Sequence, residues 1–115
     1  WLDLVALKYA VKINGVTKLM MMKGDVLSGF KKIKVCTSYE YNGEKIQHFP
    51  FSVDTDKIKP IYSEFDGWKE DISKIKTEKA FPKTFMNYVS YLEKELQVPI
   101  AIISVGPDRN QTIIR

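Results

Sequence analysis

The fold is decided by the stretch Lys18-Leu19-Met20-Met21-Met22-Lys23-Gly24-Asp25-Val26-Leu27. A short apolar run that ends at a glycine predicts a buried strand, here over Thr17–Met22. In α/β proteins, ligands gather at the carboxyl ends of such strands. Lys23 and Asp25 are one residue apart, so an extended backbone would turn both side chains to the same side. The sequence therefore predicts a binding site at this strand end.

A Lys-Gly-Asp strand end suits the recognition of a guanine base. Guanine presents N1–H and the N2 amine side by side, and the carboxylate of Asp25 can accept both hydrogen bonds. Adenine has a lone pair at N1 and no amine at C2, so the same carboxylate repels it. The apolar stem of Lys23 can lie across the base, and Gly24 lets the backbone approach a ligand closely. The alternative is structural, with Asp25 capping a short helix over 26–30 and Lys23 solvated.

A second strand end lies near the end of the chain. Ile100–Val105 begins apolar on both faces, which is typical of a central parallel strand, and it runs into a turn, Ser104-Val105-Gly106-Pro107-Asp108-Arg109. If this strand and Thr17–Met22 are sheet neighbours, their ends form one pocket. The Ser104 hydroxyl and the backbone N–H groups of the turn would then face a carbonyl such as guanine O6. The alternative is a plain turn in which Asp108 and Arg109 form a local salt bridge.

The first predicted helix is apolar on most sides. It covers Leu2–Asn14 and carries a second apolar stripe at Leu4, Leu7 and Val11. Such a helix is normally buried within a larger protein, and 115 residues leave little room to cover it. Because the chain also begins at Trp1 and not at Met, we expect a fragment whose first helix lacks its partners.

Between the two strand ends the pattern changes to an antiparallel hairpin. Residues alternate with period two after Lys32, Asn42-Gly43 is a strong hairpin turn, and the chain returns to Phe51, so the hairpin covers Lys32–Phe51. The alternation places Ile33, Val35, Thr37, Tyr39 and Tyr41 on one face. Beyond it we expect a loop at Asp54–Pro60, a strand at Pro60–Phe65, a helix opened by Pro82 with a buried stripe at Phe85, Val89, Leu92 and Leu96, and a final strand at Gln111–Arg115.

Composition excludes several classes of protein. Hydrophobic content of 44% and charged content of 28% are ordinary for a globular domain. The sequence contains no apolar run of about 18 residues that would span a membrane. The single cysteine, Cys36, excludes an internal disulfide and favours a reducing compartment. With one histidine and one cysteine in the chain, a metal site is not expected.

The net charge of +4 leaves a non-catalytic alternative open. A basic RNA-binding module would use the run Lys31–Lys34 and the aromatic residues Tyr39, Tyr41 and Phe49, and its affinity would fall steeply with salt. A third class, a structural or dimerisation piece, would bind neither RNA nor nucleotide.

From end to end the chain resembles the carboxyl-terminal part of the adenylosuccinate synthetases. The matching stretches are Trp1-Leu2-Asp3-Leu4-Val5-Ala6, Lys23-Gly24-Asp25-Val26-Leu27-Ser28-Gly29, Pro60-Ile61-Tyr62 with Gly67-Trp68, Val98-Pro99-Ile100 and Ser104-Val105-Gly106-Pro107-Asp108-Arg109. The family's commonest motif has Thr before the lysine and Leu between lysine and aspartate, where this chain has Met22 and Gly24. Both charged positions are kept, but the support of the Thr hydroxyl is absent.

The resemblance implies both an activity and a division of labour. The family joins IMP and aspartate at the cost of GTP, with Mg²⁺, as a cytoplasmic homodimer that needs neither nucleic acid nor membrane. Within this chain, Lys23, Gly24 and Asp25 would hold the guanine of GTP, and Ser104, Val105 and Gly106 would contact it from the other strand end.

The family's remaining functional parts have no counterpart in this sequence. The glycine-rich phosphate loop, the catalytic Asp and His, and the IMP, aspartate and Mg²⁺ sites of the family all lie upstream. We therefore expect residues 1–115 to be a single carboxyl-terminal portion of α/β type, with buried strands, flanking helices and a hairpin excursion. It would belong to a larger P-loop-NTPase-like ligase fold and contain neither catalytic residues nor metal ligands of its own.

Overall fold

The computed structural model describes residues 1–52, 54 and 56–115. The predicted loop at Asp54–Pro60 therefore falls partly outside the described residues, at Thr55. The described chain is a mixed α/β structure with seven strands and two α-helices: β1 (Leu2–Asp3), α1 (Leu4–Ile13), β2 (Leu19–Met21), β3 (Lys32–Tyr41), β4 (Glu44–Ile46), β5 (Ile58–Asp66), α2 (Lys83–Leu96), β6 (Ile100–Ser104) and β7 (Thr112–Ile114). Neither of these helices is long and apolar enough to cross a membrane.

The smaller sheet confirms that the two predicted strands are neighbours. β6 is central, pairing in parallel with β2 and antiparallel with β7. The prediction that Thr17–Met22 is a buried strand was wrong, because β2 covers only Leu19–Met21 and lies at the sheet edge. Met20 is 59% exposed, since no described element covers its outer face. An apolar run by itself cannot distinguish an edge strand from a central one.

The larger sheet is built on β3, the first strand of the predicted hairpin. β5 pairs with β3 along most of its length, and β4 and β1 pair with its other edge. Positive φ angles at Asn42 and Gly43 make the tight turn that the sequence predicts. The return strand is shorter than expected, ending at Ile46, and β5 begins before Pro60. Proline is tolerated there because β5 is an edge strand, with no ladder partner on its outer side.

A bulge in β3 changes which residues lie on each face of the strand, so the predicted faces were wrong beyond it. Cys36 pairs with Tyr62 and Ser38 with Ile61, so Thr37 is an extra residue. Up to Val35 the odd-numbered residues face the main core, but beyond the bulge Tyr39 joins Cys36 in a second, smaller cluster. Burial and the nearby Asp3 carboxylate raise the pKa of both the Cys36 thiol and the Tyr39 phenol. Strict alternation was therefore the wrong rule for this strand.

The first helix is shorter and better covered than the sequence predicts. Leu2 and Asp3 are strand residues that pair with Val35 and Cys36, so the helix begins at Leu4 and not at Leu2. Asp3 marks this boundary. Its Oδ1 accepts a hydrogen bond from the Ala6 N–H at 3.0 Å, and its Oδ2 accepts one from the Tyr39 hydroxyl at 2.5 Å.

The apolar stripe of α1 that was expected to lack a cover is packed within this chain. Leu4 and Val11 are buried in the main core, and Leu7 packs against it. The other apolar stripe of α1 is exposed at Tyr9 and Ile13, and outside the helix the exposed apolar side chains include Met20, Met22 and Phe51.

Helix α2 packs its apolar face into the main core, as its apolar spacing predicts. The predicted residues Phe85, Val89, Leu92 and Leu96 are all buried, and Tyr88 joins them. Burial raises the pKa of Tyr88 to about 12. The Trp68 ring, 1% exposed, meets the Phe85 ring edge to face at 4.8 Å between centroids. Aromatic pairs of this geometry contribute beyond the area that they bury.

An ion-pair network locks the end of α2 to the start of β6. Glu93 Oε1 accepts hydrogen bonds from the Ile100 N–H at 2.8 Å and from Arg115 Nη1 at 2.7 Å. Arg115 also donates to the Ile100 carbonyl at 2.8 Å and to Glu78 Oε1 at 2.7 Å. The Arg115 side chain is only 15% exposed, so these bonds are shielded from water.

We expect Glu93→Gln to lower the free energy of unfolding by about 1–3 kcal/mol, because it removes a shielded charge-assisted bond. Denaturant unfolding measures the change. The matched control is Asp66→Asn, which breaks the exposed pair with Lys32 and should leave stability unchanged. Equal losses from the two variants would contradict the assignment of stability to the Glu93 network.

Candidate functional site

The two strand ends that the sequence predicts, those of β2 and β6, lie at the same edge of the smaller sheet. Parallel pairing runs from Leu19 opposite Ile100 to Met21 opposite Ile103, so both strands end at the same edge of the sheet. Gly24, the first residue of the turn after β2, is buried, and a Cβ placed on it would lie 3.5 Å from the Ser104 carbonyl oxygen. The first turn, which contains Lys23, Gly24 and Asp25, therefore meets the end of β6 through the contact between Gly24 and Ser104.

The backbone after β2 differs from the extended chain that the sequence argument assumed. Lys23 adopts a left-handed conformation with φ 56° and ψ 40°, and Gly24–Leu27 forms a 3₁₀ turn. The reasoning that Lys23 and Asp25 share one side of a strand was therefore wrong. The helix-cap alternative was also wrong, since the turn begins at Gly24 and has no side-chain cap.

Asp25 is the unusual residue of this turn. Its Oδ1 is shielded from solvent and has no hydrogen-bond partner among the described residues. The Asp25 backbone carbonyl is used, accepting from the Ser28 N–H at 2.9 Å. A shielded carboxylate oxygen without a donor is costly, so this position is suited to a ligand that supplies N–H groups.

In the second turn, which follows β6, most polar groups already form hydrogen bonds within the chain. The Ser104 hydroxyl donates to the Gly106 carbonyl at 3.0 Å, and the Val105 N–H donates to the Gln111 carbonyl at 2.8 Å. Neither bond uses the Gly106 N–H. A ligand carbonyl facing this turn would therefore find the Gly106 N–H more readily than the Ser104 hydroxyl, whose oxygen can still accept a hydrogen bond.

Gln111, which the sequence argument did not single out, holds this second turn in place. It forms a capping box with Asp108, in which Gln111 Oε1 accepts from the Asp108 N–H at 3.0 Å. Asp108 Oδ1 accepts from the Asn110 N–H at 2.7 Å, so its carboxylate serves as a cap and not as the partner of Arg109 that the plain-turn alternative gave it. The spacing Asp-x-x-Gln was a readable signal for this box.

Distant residues to which the sequence argument gave no role in the site hold the first turn. Trp68 Nε1 donates to Ser28 Oγ at 3.2 Å, and the Gly29 N–H donates to the Trp68 carbonyl at 2.8 Å. The Phe85 ring packs against Gly24, 3.5 Å from the position of a Cβ. Because these contacts join residues far apart in the chain, no local sequence signal could have found them.

One apolar cavity of the described structure does not coincide with the strand ends. It has a volume of about 400 Å³, and Lys23, Met22 and Val26 form one wall, but neither Asp25 nor Ser104 lines it. Its other walls are mainly apolar side chains of the helices and β2, such as Leu7 and Leu92. A cavity of this character cannot read the hydrogen-bonding edge of a base.

Metal-ligating side chains are not clustered among the described residues. No group of three or more His, Cys, Asp or Glu side chains within them is placed to hold an ion. Because Mg²⁺ is often held by one or two carboxylates together with substrate phosphates, this finding does not decide where Mg²⁺ binds, and the expectation that other parts of such an enzyme bind it stays a prediction.

The structure does not support the RNA-binding alternative. Tyr39, one of its three proposed stacking residues, is 4% exposed and bonded to Asp3. Lys32 and Lys34 are paired with Asp66 and Glu64 on β5. A sheet face that stacks bases needs exposed rings beside free cations.

We expect Gly106→Ala to destabilise the second turn, while Gly24→Ala is tolerated. A Cβ at Gly106 would lie 2.2 Å from Gln111 Oε1, so Gln111 would have to give up its bonds to Asp108 and to Ser73. The expected cost is about 1–2 kcal/mol of unfolding free energy. At Gly24 the same Cβ meets only ordinary contacts of 3.5 Å. Denaturant unfolding of both variants tests this, and an equal effect would contradict it.

Known proteins of one family match this chain along nearly its whole length. A family model described as adenylosuccinate synthetase matches residues 1–113. Proteins named adenylosuccinate synthetase from Christiangramia forsetii and Bacteroides fragilis are 59% and 56% identical over the whole chain. The chain spans 27% of the length of each of these relatives.

A solved structure agrees with the sequence matches. The fully ligated adenylosuccinate synthetase from Plasmodium falciparum superposes on the whole chain with a TM-score of 0.92 at 34% identity, and the chain covers 28% of it. The family model covers nearly all of the chain, and the match in fold extends from end to end. The chain therefore belongs to the adenylosuccinate synthetase family.

Proposed function

We propose that this chain is the carboxyl-terminal portion of an adenylosuccinate synthetase and carries the guanine-reading part of its GTP site. The whole enzyme would be a ligase of purine nucleotide synthesis that condenses IMP and L-aspartate with GTP hydrolysis, giving adenylosuccinate, GDP and phosphate. It would act with Mg²⁺, as a cytoplasmic homodimer. Family membership supports this activity, and the turn after β2 supports the assignment of the base site.

One observation carries the base site: the shielded, unpartnered Oδ1 of Asp25 at the point where β2 and β6 end together. Guanine N1–H and N2–H₂ are adjacent donors, and a carboxylate accepts both with charge-assisted bonds. A bound guanine would therefore supply the donor that the described protein lacks. Adenine would place its N1 lone pair against the carboxylate and would be rejected.

The remaining residues have complementary roles in this proposal. The exposed side chain of Lys23 is available to lie across the base through its apolar stem. The Gly106 N–H is suited to donate to guanine O6, with Ser104 and Val105 shaping the turn around it. Gly24 places the backbone of the first turn between Phe85 and Ser104, where a Cβ would lie 3.5 Å from each.

The phosphate-binding and catalytic parts of the enzyme would lie in the remainder of a longer chain. The chain matches about a quarter of the length of its relatives, and it contains no glycine-rich phosphate loop of the kind that cradles a nucleotide. We propose that this portion completes a larger P-loop-NTPase-like ligase fold, in which it reads the base while other elements hold the phosphates.

In the full-length enzyme, we expect Asp25→Asn to lower the use of GTP and raise the use of XTP. The asparagine amide would oppose the guanine N2 amine, donor against donor, at a cost of about 2–4 kcal/mol. That corresponds to about 30- to 1000-fold in nucleotide affinity. Xanthine has a carbonyl where guanine has this amine, so the same amide suits it. The ratio of kcat/KM for XTP over GTP measures the change.

The control for this substitution is Asp66→Asn, which removes an exposed carboxylate distant in sequence from both turns. It should leave the XTP to GTP ratio at the value of the unmodified enzyme. The same unchanged ratio in Asp25→Asn would show that Asp25 does not read the base, whatever its effect on stability.

We also expect the purified 115-residue polypeptide to form no adenylosuccinate from IMP, aspartate and GTP, since it would lack the phosphate loop and the catalytic groups. The assay is product formation under conditions in which the full-length enzyme turns over. Activity above a blank, and proportional to the amount of polypeptide, would refute the proposed division of labour.

A further inference from the structure

The turn that carries Asp25 depends on contacts from outside itself. Within it, the Val26 N–H donates to the Lys23 carbonyl at 3.3 Å and the Ser28 N–H donates to the Asp25 carbonyl at 2.9 Å. Lys23, where the turn begins, has the positive φ angle that side chains disfavour. A single 3₁₀ turn of this kind is weak when isolated, because its hydrogen-bond geometry is poor and few bonds offset the cost of ordering it. Its conformation therefore depends on the elements packed against it.

The end of the larger sheet lies directly against the chain that follows this turn. Beyond the last paired residues of β3 and β5, the Gly67 N–H donates to the Lys31 carbonyl at 3.0 Å. The Gly29 N–H then donates to the Trp68 carbonyl at 2.8 Å. A Cβ placed on Gly67 would clash with the Phe30 carbonyl oxygen, so the two backbones approach closely here. Gly67 and Trp68 thus fasten the end of the turn to the larger sheet.

The Trp68 side chain reaches the turn by two routes. Its Nε1–H donates to Ser28 Oγ at 3.2 Å, and the Ser28 N–H is the donor that bonds the Asp25 carbonyl. Its ring also meets the Phe85 ring edge to face, and Phe85 lies 3.5 Å from the position of a Cβ on Gly24. Trp68 is 1% exposed, so both routes are shielded from water. They end at adjacent residues, Gly24 and Asp25.

The segment that follows Trp68 also holds the second turn. Gln111 Nε2 donates to the Ser73 carbonyl at 3.0 Å, and the Gln111 side chain lies against Gly106. The short 3₁₀ turn Ile72–Lys74 lies beside the first turn. One segment therefore contacts both turns, and it can fix the separation on which their joint contact with a single base depends.

We propose that Trp68 is a positioning residue of the base site, which sets the selectivity for guanine by fixing Asp25 through Ser28. This role rests on the proposed function, in which the carboxylate accepts both N1–H and N2–H₂ of guanine. Two such bonds form together only when the carboxylate is held within about 0.5 Å of its productive position. A carboxylate that is free to shift still accepts one donor, but it no longer accepts both at good angles.

The test uses the full-length enzyme and the ratio of kcat/KM for GTP over ITP. Hypoxanthine, the base of ITP, keeps N1–H and O6 and lacks the N2 amine, so this ratio measures the second bond to Asp25. We expect Ser28→Ala, which removes the acceptor of the indole N–H, to lower the ratio about two- to tenfold, the effect of one hydrogen bond. A smaller folded fraction lowers both kcat/KM values equally. The ratio therefore reports positioning and not stability.

Trp68→Phe tests the donor of the same bond. Phenylalanine keeps an aromatic ring beside Phe85 and lacks the indole N–H, so we expect a loss of selectivity similar to that of Ser28→Ala. The value of kcat at saturating GTP should be unchanged in both variants, because the base makes the same contacts in the ground state and the transition state. Removing buried volume also lowers stability, and if Trp68→Phe does not fold, Ser28→Ala decides the test.

The matched control is Ser63→Ala. Ser63 is another half-buried serine, and its hydroxyl lies 3.3 Å from Thr37 Oγ1 in the larger sheet. This substitution should leave the ratio of GTP over ITP unchanged. Equal losses of selectivity in Ser28→Ala and Ser63→Ala would show a general loosening of the fold and would overturn the positioning role.

Asp25→Asn, measured in the same series, separates this role from the base site itself. If the ratio of GTP over ITP falls in Asp25→Asn but stays unchanged in Ser28→Ala and Trp68→Phe, the base site stands and the positioning role is overturned. If Asp25→Asn leaves the ratio unchanged, the base site is refuted and the positioning role with it. A fall in Asp25→Asn and a smaller fall in Ser28→Ala is the result we expect.

Discussion

Parallel pairing between β2 and β6 is the constraint on which the proposed base site depends. The ladder starts at the bond from the Leu19 N–H to the Pro99 carbonyl, 2.9 Å long, and continues to Met21 opposite Ile103. Since parallel strands end on the same side, this pairing alone brings two segments distant in the chain into contact. Helix α2 then fixes their separation, because Phe85 packs beneath Gly24 while Glu93 holds the first residue of β6.

The elements with strong local signals were predictable from the sequence. Asn42-Gly43 specified the hairpin turn, Pro82 and the apolar spacing after it specified α2, and the doubly apolar run at Ile100 specified a central strand. Both turns of the candidate site were also found, because charged or small residues directly follow apolar runs. Each of these elements could be predicted because residues that are neighbours in the sequence are sufficient to indicate it.

Features that depend on distant contacts could not be predicted. Nothing near Leu19 in sequence shows that β2 is an edge strand, and nothing near Ser28 indicates that Trp68 will hold it. The left-handed conformation at Lys23 is rare for a residue with a side chain. The candidate residues were therefore identified from their chemistry and from family resemblance, whereas the unpartnered oxygen of Asp25 emerged only from the packing around it.

The bulge at Thr37 also determines which changes of chain length β3 can accept. Without Thr37, the residues on either side would alternate regularly and keep their present faces, since Cys36 and Ser38 already oppose consecutive residues of β5. Deleting Thr37 would thus straighten the strand while preserving both clusters. Deleting Lys34 would instead exchange the inward and outward faces on one side of the gap. Homologous strands that differ by one residue in length are therefore best aligned with the gap at Thr37.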